Sequence, residues 1–280
     1  KNKIVKIKPY HFIKYNIPFY KFLMLRKNNN KIIFYLPYKN VKTVVLIYLE
    51  YILSLNHKLN NFKLSVINCK FNNTIKKNEL KILSSGNFNN NDNFIGYNIL
   101  YPNYIDNIFS NIDISICITL VRNYALKNYI YNKVVFRGSN YNKERDRLIN
   151  YNNKYLDCKS TKNNYLCFFD YMKYKYIIDS ICFKNGYSGR RFWLMHTKRL
   201  IFLPLEDKNK QFFEYDIKPY IHYIPYSVNN LDDLIQKIKY YENNPLQYNV
   251  ICNNLYEYSN NNLKIENINS LIINKLNNNN

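Results

Sequence analysis

Short apolar runs alternate with stretches of helical pattern through the second half of the chain, and this alternation constrains the fold most strongly. Apolar runs typical of strands occupy residues 133–136, 174–178, 200–203 and 221–225. Helical patterns occupy residues 143–151, a segment beginning near Arg190, residues 231–242, and a segment that begins at Pro245. Strands that alternate with helices predict an α/β fold with mainly parallel sheets.

The first half of the chain carries a weaker form of the same pattern. Strands are predicted at 31–38, at 62–69, and at the Ile-rich run 112–120, with a helix at 44–55 and an Asn-rich loop at 87–93. A final helix is predicted at 265–276. We therefore expect an N-terminal domain over residues 1–126 and a second domain over 127–260. Residues 261–280 would form a C-terminal helix with a frayed Asn-rich tail.

Arginine and glycine cluster in the second half, although Lys, Asn, Ile and Tyr dominate the chain. Six of the eight arginines lie between positions 137 and 199, and three of the five glycines share that stretch. Arginine presents a planar fork that binds phosphate or carboxylate through two hydrogen bonds. Glycine allows a backbone to approach a ligand closely. These two residue types together predict an anion site in the second half.

Two of these clusters directly follow predicted strands. Arg137-Gly138-Ser139 ends the strand at 133–136, and the loop from Gly186 through Ser188 and Gly189 to Arg190 and Arg191 follows the strand at 174–178. Ligands of open α/β sheets bind at the carboxyl ends of the strands, so both turns are expected to face one crevice. Helix N-termini add partial positive charge there. Such a crevice would bind a diphosphate without a metal ion.

The formal net charge of +22 has a simpler source than a nucleic-acid partner. Lys, Asn, Ile and Tyr are the residues that an AT-rich genome favours, so we attribute most of the charge to a solvated surface. No recognition motif with interleaved aromatic residues is present, and we expect no specific nucleic-acid partner. On this sequence we expect a cytoplasmic location, which includes a viral factory, rather than a secretory lumen.

Neither the cysteines nor the histidines are spaced as metal ligands. The six cysteines include no C-x-x-C pair, and no two of the four histidines have metal-ligand spacing with a carboxylate. No run approaches 18 apolar residues, and the longest candidate, 44–55, is interrupted by Glu50. We therefore expect no metal, no resident cofactor and no membrane span.

Three blocks of the second half match the pattern of one known family. Residues 134–149 read VVFRGSNYNKERDRLI, residues 173–192 read KYKYIIDSICFKNGYSGRRF, and residues 212–225 read FFEYDIKPYIHYIP. They are similar to an F-R-G-S block followed by E-R-D, to a K-Y-K-Y strand with a Gly/Ser-rich loop that ends in Arg, and to an F-F…L-K-P-W-x-H-Y-x-P segment. On these blocks the chain resembles glycosyltransferase family 90, which includes the Rumi-type protein O-glucosyltransferases and the fungal capsule-associated proteins.

The resemblance implies a GT-B-like fold, in which two Rossmann-like domains face a cleft and the C-terminal domain holds a UDP-sugar. The implied reaction is an inverting, metal-independent transfer of glucose or xylose to a hydroxyl of a glycan or protein acceptor. Arg137, Gly138 and Ser139 fall on the family's donor-binding turn. Arg191 falls on its second diphosphate arginine. Arg190 is an alternative for that role, because the loop carries one more arginine than is usual.

The general base of the family has no counterpart here. The family's V-I-N strand continues into Arg-Asp, whose Asp is the base, whereas this chain reads Val66-Ile67-Asn68 and places Phe71 at the position of the Asp. A phenyl ring cannot accept a proton, and proton abstraction contributes about 10²–10⁴-fold to a rate. Asp92 and Asp179 are candidate replacements.

Two functions therefore remain open. One is a glycosyltransferase that uses a UDP-sugar and a relocated base. The other is a catalytically inactive family member that acts as a UDP-sugar-binding or assembly module.

Overall fold

The chain divides into two compact units, each built on its own sheet. One unit comprises Lys1–Tyr101 with Glu266–Asn280, and the other comprises Pro102–Ile265. A computed structural model describes residues 5–6, 22–28, 31–35, 62–67, 81–84 and 94–96 of the first unit. From residue 114 to residue 277 it describes the chain except for 181–187, 189, 208–213 and 215.

The first unit holds a six-stranded sheet of mixed direction, in the order β1-β3-β2-β4-β5-β6. Strand β2 runs antiparallel to both of its neighbours, while the other pairs are parallel. The strands predicted at 31–38 and 62–69 are confirmed as β3 and β4, whereas the predicted helix at 44–55 and loop at 87–93 lie outside the described residues. The bounds are β1 Val5–Lys6, β2 Phe22–Asn28, β3 Lys31–Tyr35, β4 Phe62–Ile67, β5 Lys81–Ser84 and β6 Phe94–Gly96.

The second unit holds a five-stranded sheet, in the order β11-β10-β9-β7-β8, and every pair is parallel. This confirms the expected α/β class with a parallel sheet. The five residues of β9 and of β10 are all buried, as expected for strands covered on both faces. The bounds are β7 Tyr131–Gly138, β8 Leu156–Ser160, β9 Tyr174–Ile178, β10 Leu200–Pro204 and β11 Ile224–Tyr226.

Helices connect and cover these strands, and the residues at their first positions explain where several begin. Asn142 and Asn230 accept hydrogen bonds from the backbone N–H three residues later, and Pro245 occupies the first turn of its helix. The helices of the second unit are α1 Ile114–Ala125, α2 Lys143–Asn150, α3 Phe168–Tyr171, α4 Arg190–Leu194, α5 Leu231–Asn243 and α6 Pro245–Asn262. A further helix, α7 Ile265–Asn277, belongs to the first unit from Glu266 onward.

The core of the second unit lies between one face of its sheet and helices α5 and α6. Alternate strand residues such as Phe136, Tyr176 and Phe202 are fully buried there against Leu234 and Ile238. The helical spacing that predicted α5 is therefore confirmed. None of the described helices is both long and apolar enough to cross a membrane.

Two predicted strands are wrong or displaced. Residues 114–120 of the run 112–120 are helical and belong to α1, whose buried residues Cys117, Val121 and Ala125 recur every four positions. A short apolar run does not distinguish a strand from a helix by its hydrophobicity alone. The strand predicted at 221–225 begins only at Ile224, because residues 218–222 form a turn in which Tyr220 takes a positive φ of 61°.

Candidate functional site

The strand order of the second unit reverses between β7 and β9, and such a point opens a crevice at the carboxyl ends of the strands. From β7, the chain first adds β8 on one side and then crosses to add β9, β10 and β11 on the other. The residues that follow β7 are Ser139 and Asn140, and those that follow β9 are Asp179 and Ser180.

The turn after β7 requires glycine because an aromatic ring lies directly beneath it. A Cβ atom on Gly138 would lie 2.5 Å from Cζ and 2.9 Å from Cε1 of Phe136, whose ring is fully buried and has little room to move. The Gly138 carbonyl accepts a hydrogen bond from the Thr161 N–H (3.0 Å), which joins this turn to the end of β8. Ser139 and Asn140 remain exposed at the edge of the crevice.

The side chain of Arg137 hydrogen-bonds to groups of the two neighbouring strands β7 and β8. It is buried, and its guanidinium donates to the Asp157 carbonyl (2.5 Å), to Asp157 Oδ2 (2.9 Å) and to the Phe136 carbonyl (2.9 Å). Burial would raise the pKa of Asp157, but hydrogen bonds from Arg137 and Tyr174 outweigh it and hold the pKa below its ordinary value. The Arg137 side chain therefore links β7 to β8, and its backbone carbonyl accepts a hydrogen bond from a second arginine.

That second arginine is Arg190, the first residue of α4, and it spans the crevice. Its Nη1 donates to the Arg137 carbonyl (2.6 Å) and to the Tyr171 hydroxyl (2.9 Å). Among the described residues, the nearest carboxylate oxygen is Asp179 Oδ1, 3.9 Å from Nη2, and 18% of the Arg190 side chain remains exposed. The structure thus places Arg190, at the end of the second predicted turn, against the turn at Arg137, as the sequence predicts.

A further guanidinium, that of Arg145 in α2, lies close to the same turn. It is 5.7 Å from the centroid of the Phe136 ring and 4.2 Å from that of Tyr141, while Arg190 is 5.5 Å from the Phe136 centroid. Arg145 and Arg190 therefore both bring positive charge to the Gly138 turn. Burial raises the pKa of Tyr171, so its hydroxyl stays protonated and donates to the Arg137 carbonyl at 3.4 Å.

Arg191 lies in a different environment, where it joins three carboxylates. Its Nε donates to Asp179 (2.9 Å), its Nη1 to Glu214 (2.9 Å) and its Nη2 to Asp207 (2.5 Å). The Arg191 side chain is only 4% exposed, and those of the three carboxylates are 0–2% exposed. All three guanidinium nitrogens thus bind carboxylates, and Arg191 links the start of α4 to the segments after β9 and β10.

Asp179, a candidate replacement for the base, is also part of this network. It has no exposed surface, and its two oxygens accept hydrogen bonds from the Ser188 hydroxyl (2.7 Å) and from Arg191. The other positions that bear on the base, Phe71 and Asp92, lie outside the described residues, as do Gly186 and Gly189.

A cavity of about 610 Å³ opens beside the crevice, at the ends of β7 and β8. It is lined by Ser139, Asn140 and residues 160–164, which we call the 160–164 loop. The 160–164 loop is not among the predicted site residues, because the sequence does not predict the strand β8 that precedes it. The signal that was present is the polar run Ser-Thr-Lys-Asn-Asn, which follows an apolar residue and a cysteine at strand spacing.

The sequence pattern does not identify the other residues that contact the site arginines. Tyr171, Asp207 and Glu214 are distant in sequence from the arginines that they contact, and only the fold brings them together. Within the described part of the chain, no three His, Cys, Asp or Glu side chains converge as metal ligands would.

No protein-family model matches this chain, and no curated protein matches it. Among solved structures, a glycosyltransferase from Rickettsia africae ESF-5 is similar, with a TM-score of 0.41 and 12% sequence identity. The similarity covers 70% of this chain and 63% of that one, so it spans less than two thirds of the neighbour. A TM-score this low does not establish a shared fold.

Proposed function

We propose that the chain is a glycosyltransferase whose second unit binds the diphosphate of a UDP-sugar at the crevice between β7 and β9. One observation carries the proposal: the Arg190 guanidinium spans the crevice beside the Gly138 turn and is bonded there to neutral acceptors. A carbonyl and a phenol are weaker partners for a guanidinium than a phosphate, because a phosphate carries full negative charge and can accept two parallel hydrogen bonds from one guanidinium.

The diphosphate would take the place of these neutral acceptors and would meet further donors. Ser139 is exposed at the turn and offers a hydroxyl, and Arg145 adds positive charge beside Phe136. Of the two arginines that the resemblance leaves open, we assign the phosphate contact to Arg190. Arg191 is assigned instead to holding the start of α4, since its three nitrogens are engaged by buried carboxylates.

The proposed reaction needs positive charge where Arg190 supplies it. An acceptor hydroxyl attacks the anomeric carbon of the sugar and gives its proton to the relocated base. The bond to the β-phosphate oxygen breaks, and the developing negative charge remains on UDP. A guanidinium already in place stabilises that charge without reorganisation. A GT-B-like arrangement, inversion, and glucose or xylose as the transferred sugar follow from the family resemblance and belong to the same proposal.

A thermal-shift screen tests the donor site. UDP, UDP-glucose, UDP-xylose and UDP-GlcNAc are each added with EDTA, and a ligand at 100 times its Kd should add about 2.7 kcal/mol of stability. Arg190→Met should weaken UDP binding by ten- to a hundredfold, because a charged hydrogen bond is worth about 1.5–3 kcal/mol. The matched control is Arg147→Met, an exposed arginine of α2 that hydrogen-bonds Asn229.

The outcomes separate the parts of the proposal. If no uridine diphosphate shifts the melting temperature at millimolar concentration, there is no donor site. If the shift requires a divalent ion that EDTA removes, binding is not metal-independent. If Arg147→Met weakens binding as much as Arg190→Met, the assignment of Arg190 fails.

The alternative, a binding or assembly module without catalysis, is favoured by Phe71 at the position of the family's base. The two functions differ in turnover. A transferase releases UDP from a UDP-sugar, and release should rise in Phe71→Asp if the mapping of that position is right. A folded protein that binds UDP-sugar but releases no UDP, with or without this substitution, would be the binding module.

A further inference from the structure

The cavity beside the crevice is continuous with the Gly138 turn and extends it along the sheet. Gly138 and Ser160 are register partners on the neighbouring parallel strands β7 and β8. The hydrogen bond from the Thr161 N–H to the Gly138 carbonyl fixes the first residues of the 160–164 loop beside Ser139. A ligand whose phosphate lies at the Gly138 turn can therefore extend directly into this cavity.

The residues that line the cavity share one kind of chemistry. Every one carries a hydroxyl, an amide or an ammonium group, and none of the described lining residues is acidic, aromatic or aliphatic. Ser, Thr and Asn side chains both donate and accept hydrogen bonds, so they match a ring with several hydroxyl groups. Lys162 is exposed and adds a positive charge to the lining.

The lining does not suit a nucleobase. Bases bound in a pocket are commonly held by stacking on an aromatic side chain, and the described lining provides no aromatic ring. The volume of about 610 Å³ is within the usual range for small-molecule sites and accommodates a sugar ring with a phosphate. The neutral groups suit the hydroxyls of the ring, and the ammonium suits the phosphate.

We infer that this cavity binds a sugar phosphate, with the amides of Asn163 and Asn164 on the sugar hydroxyls and Lys162 beside the phosphate. The inference rests on the proposed function in one respect, since it takes the sugar phosphate to be the sugar end of the nucleotide donor. The 160–164 loop would then determine how well the sugar is bound, while the crevice at Arg190 binds the rest of the diphosphate.

Titration calorimetry on the full chain with UDP, UDP-glucose and α-glucose 1-phosphate tests this inference. Wild type should bind UDP-glucose about tenfold more tightly than UDP. Asn163→Ala combined with Asn164→Ala should abolish that difference and leave UDP binding unchanged. Lys162→Met should weaken glucose 1-phosphate about tenfold, as expected for one charge-assisted hydrogen bond.

The controls lie at the other end of the same strands. Lys133→Met changes an exposed lysine at the start of β7, and Asn152→Ala changes an exposed asparagine before β8. Both should leave all three affinities unchanged. The loop variants alter exposed side chains, so their melting temperatures should match that of wild type, and a lost affinity then reflects the cavity rather than the fold.

The failures of the two proposals are distinguishable. If loop variants weaken UDP as much as UDP-glucose, or change neither, the cavity is not the sugar site although the donor site stands. If wild type binds no uridine diphosphate, the proposed function fails, while loss of glucose 1-phosphate binding in Lys162→Met would still support the cavity. Absence of glucose 1-phosphate binding to wild type, with no preference for UDP-glucose over UDP, overturns the inference.

Discussion

Replacing Arg191 by Met should destabilise the second unit severely, whereas the same replacement at its neighbour Arg190 should not. Methionine keeps the length and much of the volume of the arginine side chain, so the change removes charge and hydrogen bonds with little loss of packing. The three carboxylates that bind Arg191 are Asp179, Asp207 and Glu214, and each would lose its donated hydrogen bond in a buried site.

The magnitude follows from the burial of these groups. Removing one partner of a buried ion pair costs about 3–5 kcal/mol, because a charge is left without compensation. Native domains are stable by only about 5–15 kcal/mol, so this loss is a large part of the total. For a unit of this size each kcal/mol lowers the melting temperature by about 2–4 °C, and we expect a fall of about 6–20 °C. Arg190 donates to a carbonyl and a phenol and lies 3.9 Å from Asp179 Oδ1, so its loss should cost less, about 1.5–3 kcal/mol.

Urea unfolding followed by tryptophan fluorescence measures this difference directly. The chain has a single tryptophan, Trp193, which is fully buried in α4 two residues after Arg191. Its emission therefore reports the unfolding of the segment that Arg191 holds. A loss below about 1 kcal/mol in Arg191→Met, or a larger loss in Arg190→Met, would refute the assignment of Arg191 to a structural role.

Three further predictions concern Gly138, the buried residue His196 and the net charge of the chain. Gly138→Ala should lower the free energy of unfolding by about 1–3 kcal/mol in urea titrations, because the added methyl meets the buried Phe136 ring; an unchanged midpoint would contradict that contact. Burial lowers the pKa of His196 from 6.5 to about 3. Between these pH values only the unfolded chain binds the proton, so the free energy of unfolding decreases as the pH is lowered. The loss from pH 7 to pH 5 should be about 2 kcal/mol, and it should shrink in His196→Leu; an equal loss in both proteins would show that other groups cause it. Binding to duplex DNA should be weak and independent of sequence at about 150 mM salt. Nanomolar, sequence-selective binding would instead show that the net charge of +22 serves a nucleic-acid partner.

Strong local patterns made much of the second unit predictable. The strand at 174–178 and the helices that begin at Leu231 and Pro245 were located from spacing and capping residues alone. The edge strand β8 was not, because Leu156–Ser160 contains only two apolar side chains. The helix α1 was misassigned because its Ile-rich run suits a strand as well as a helix, and only its four-residue burial period identifies it.

The position of the candidate crevice could be predicted from the sequence, whereas the contacts of its residues could not. Glycine and arginine after two strands were enough to place the crevice, since parallel strands bring their carboxyl ends to one edge. Adjacent residues on a helix, however, point in directions about 100° apart. The resemblance placed Arg191 on the diphosphate position, with Arg190 as an alternative. The sequence could not reveal that carboxylates hold Arg191, because two of them, Asp207 and Glu214, lie 16 and 23 residues further along the chain.

A crystal structure of the protein with UDP, grown in the presence of EDTA, tests the central claim most directly. We predict that the diphosphate lies at the carboxyl ends of β7 and β9, with phosphate oxygens about 3 Å from the Arg190 guanidinium and from the Ser139 hydroxyl. Arg191 should keep its three carboxylate partners. UDP bound elsewhere, or bound through Arg191 with its carboxylates displaced, would contradict the account.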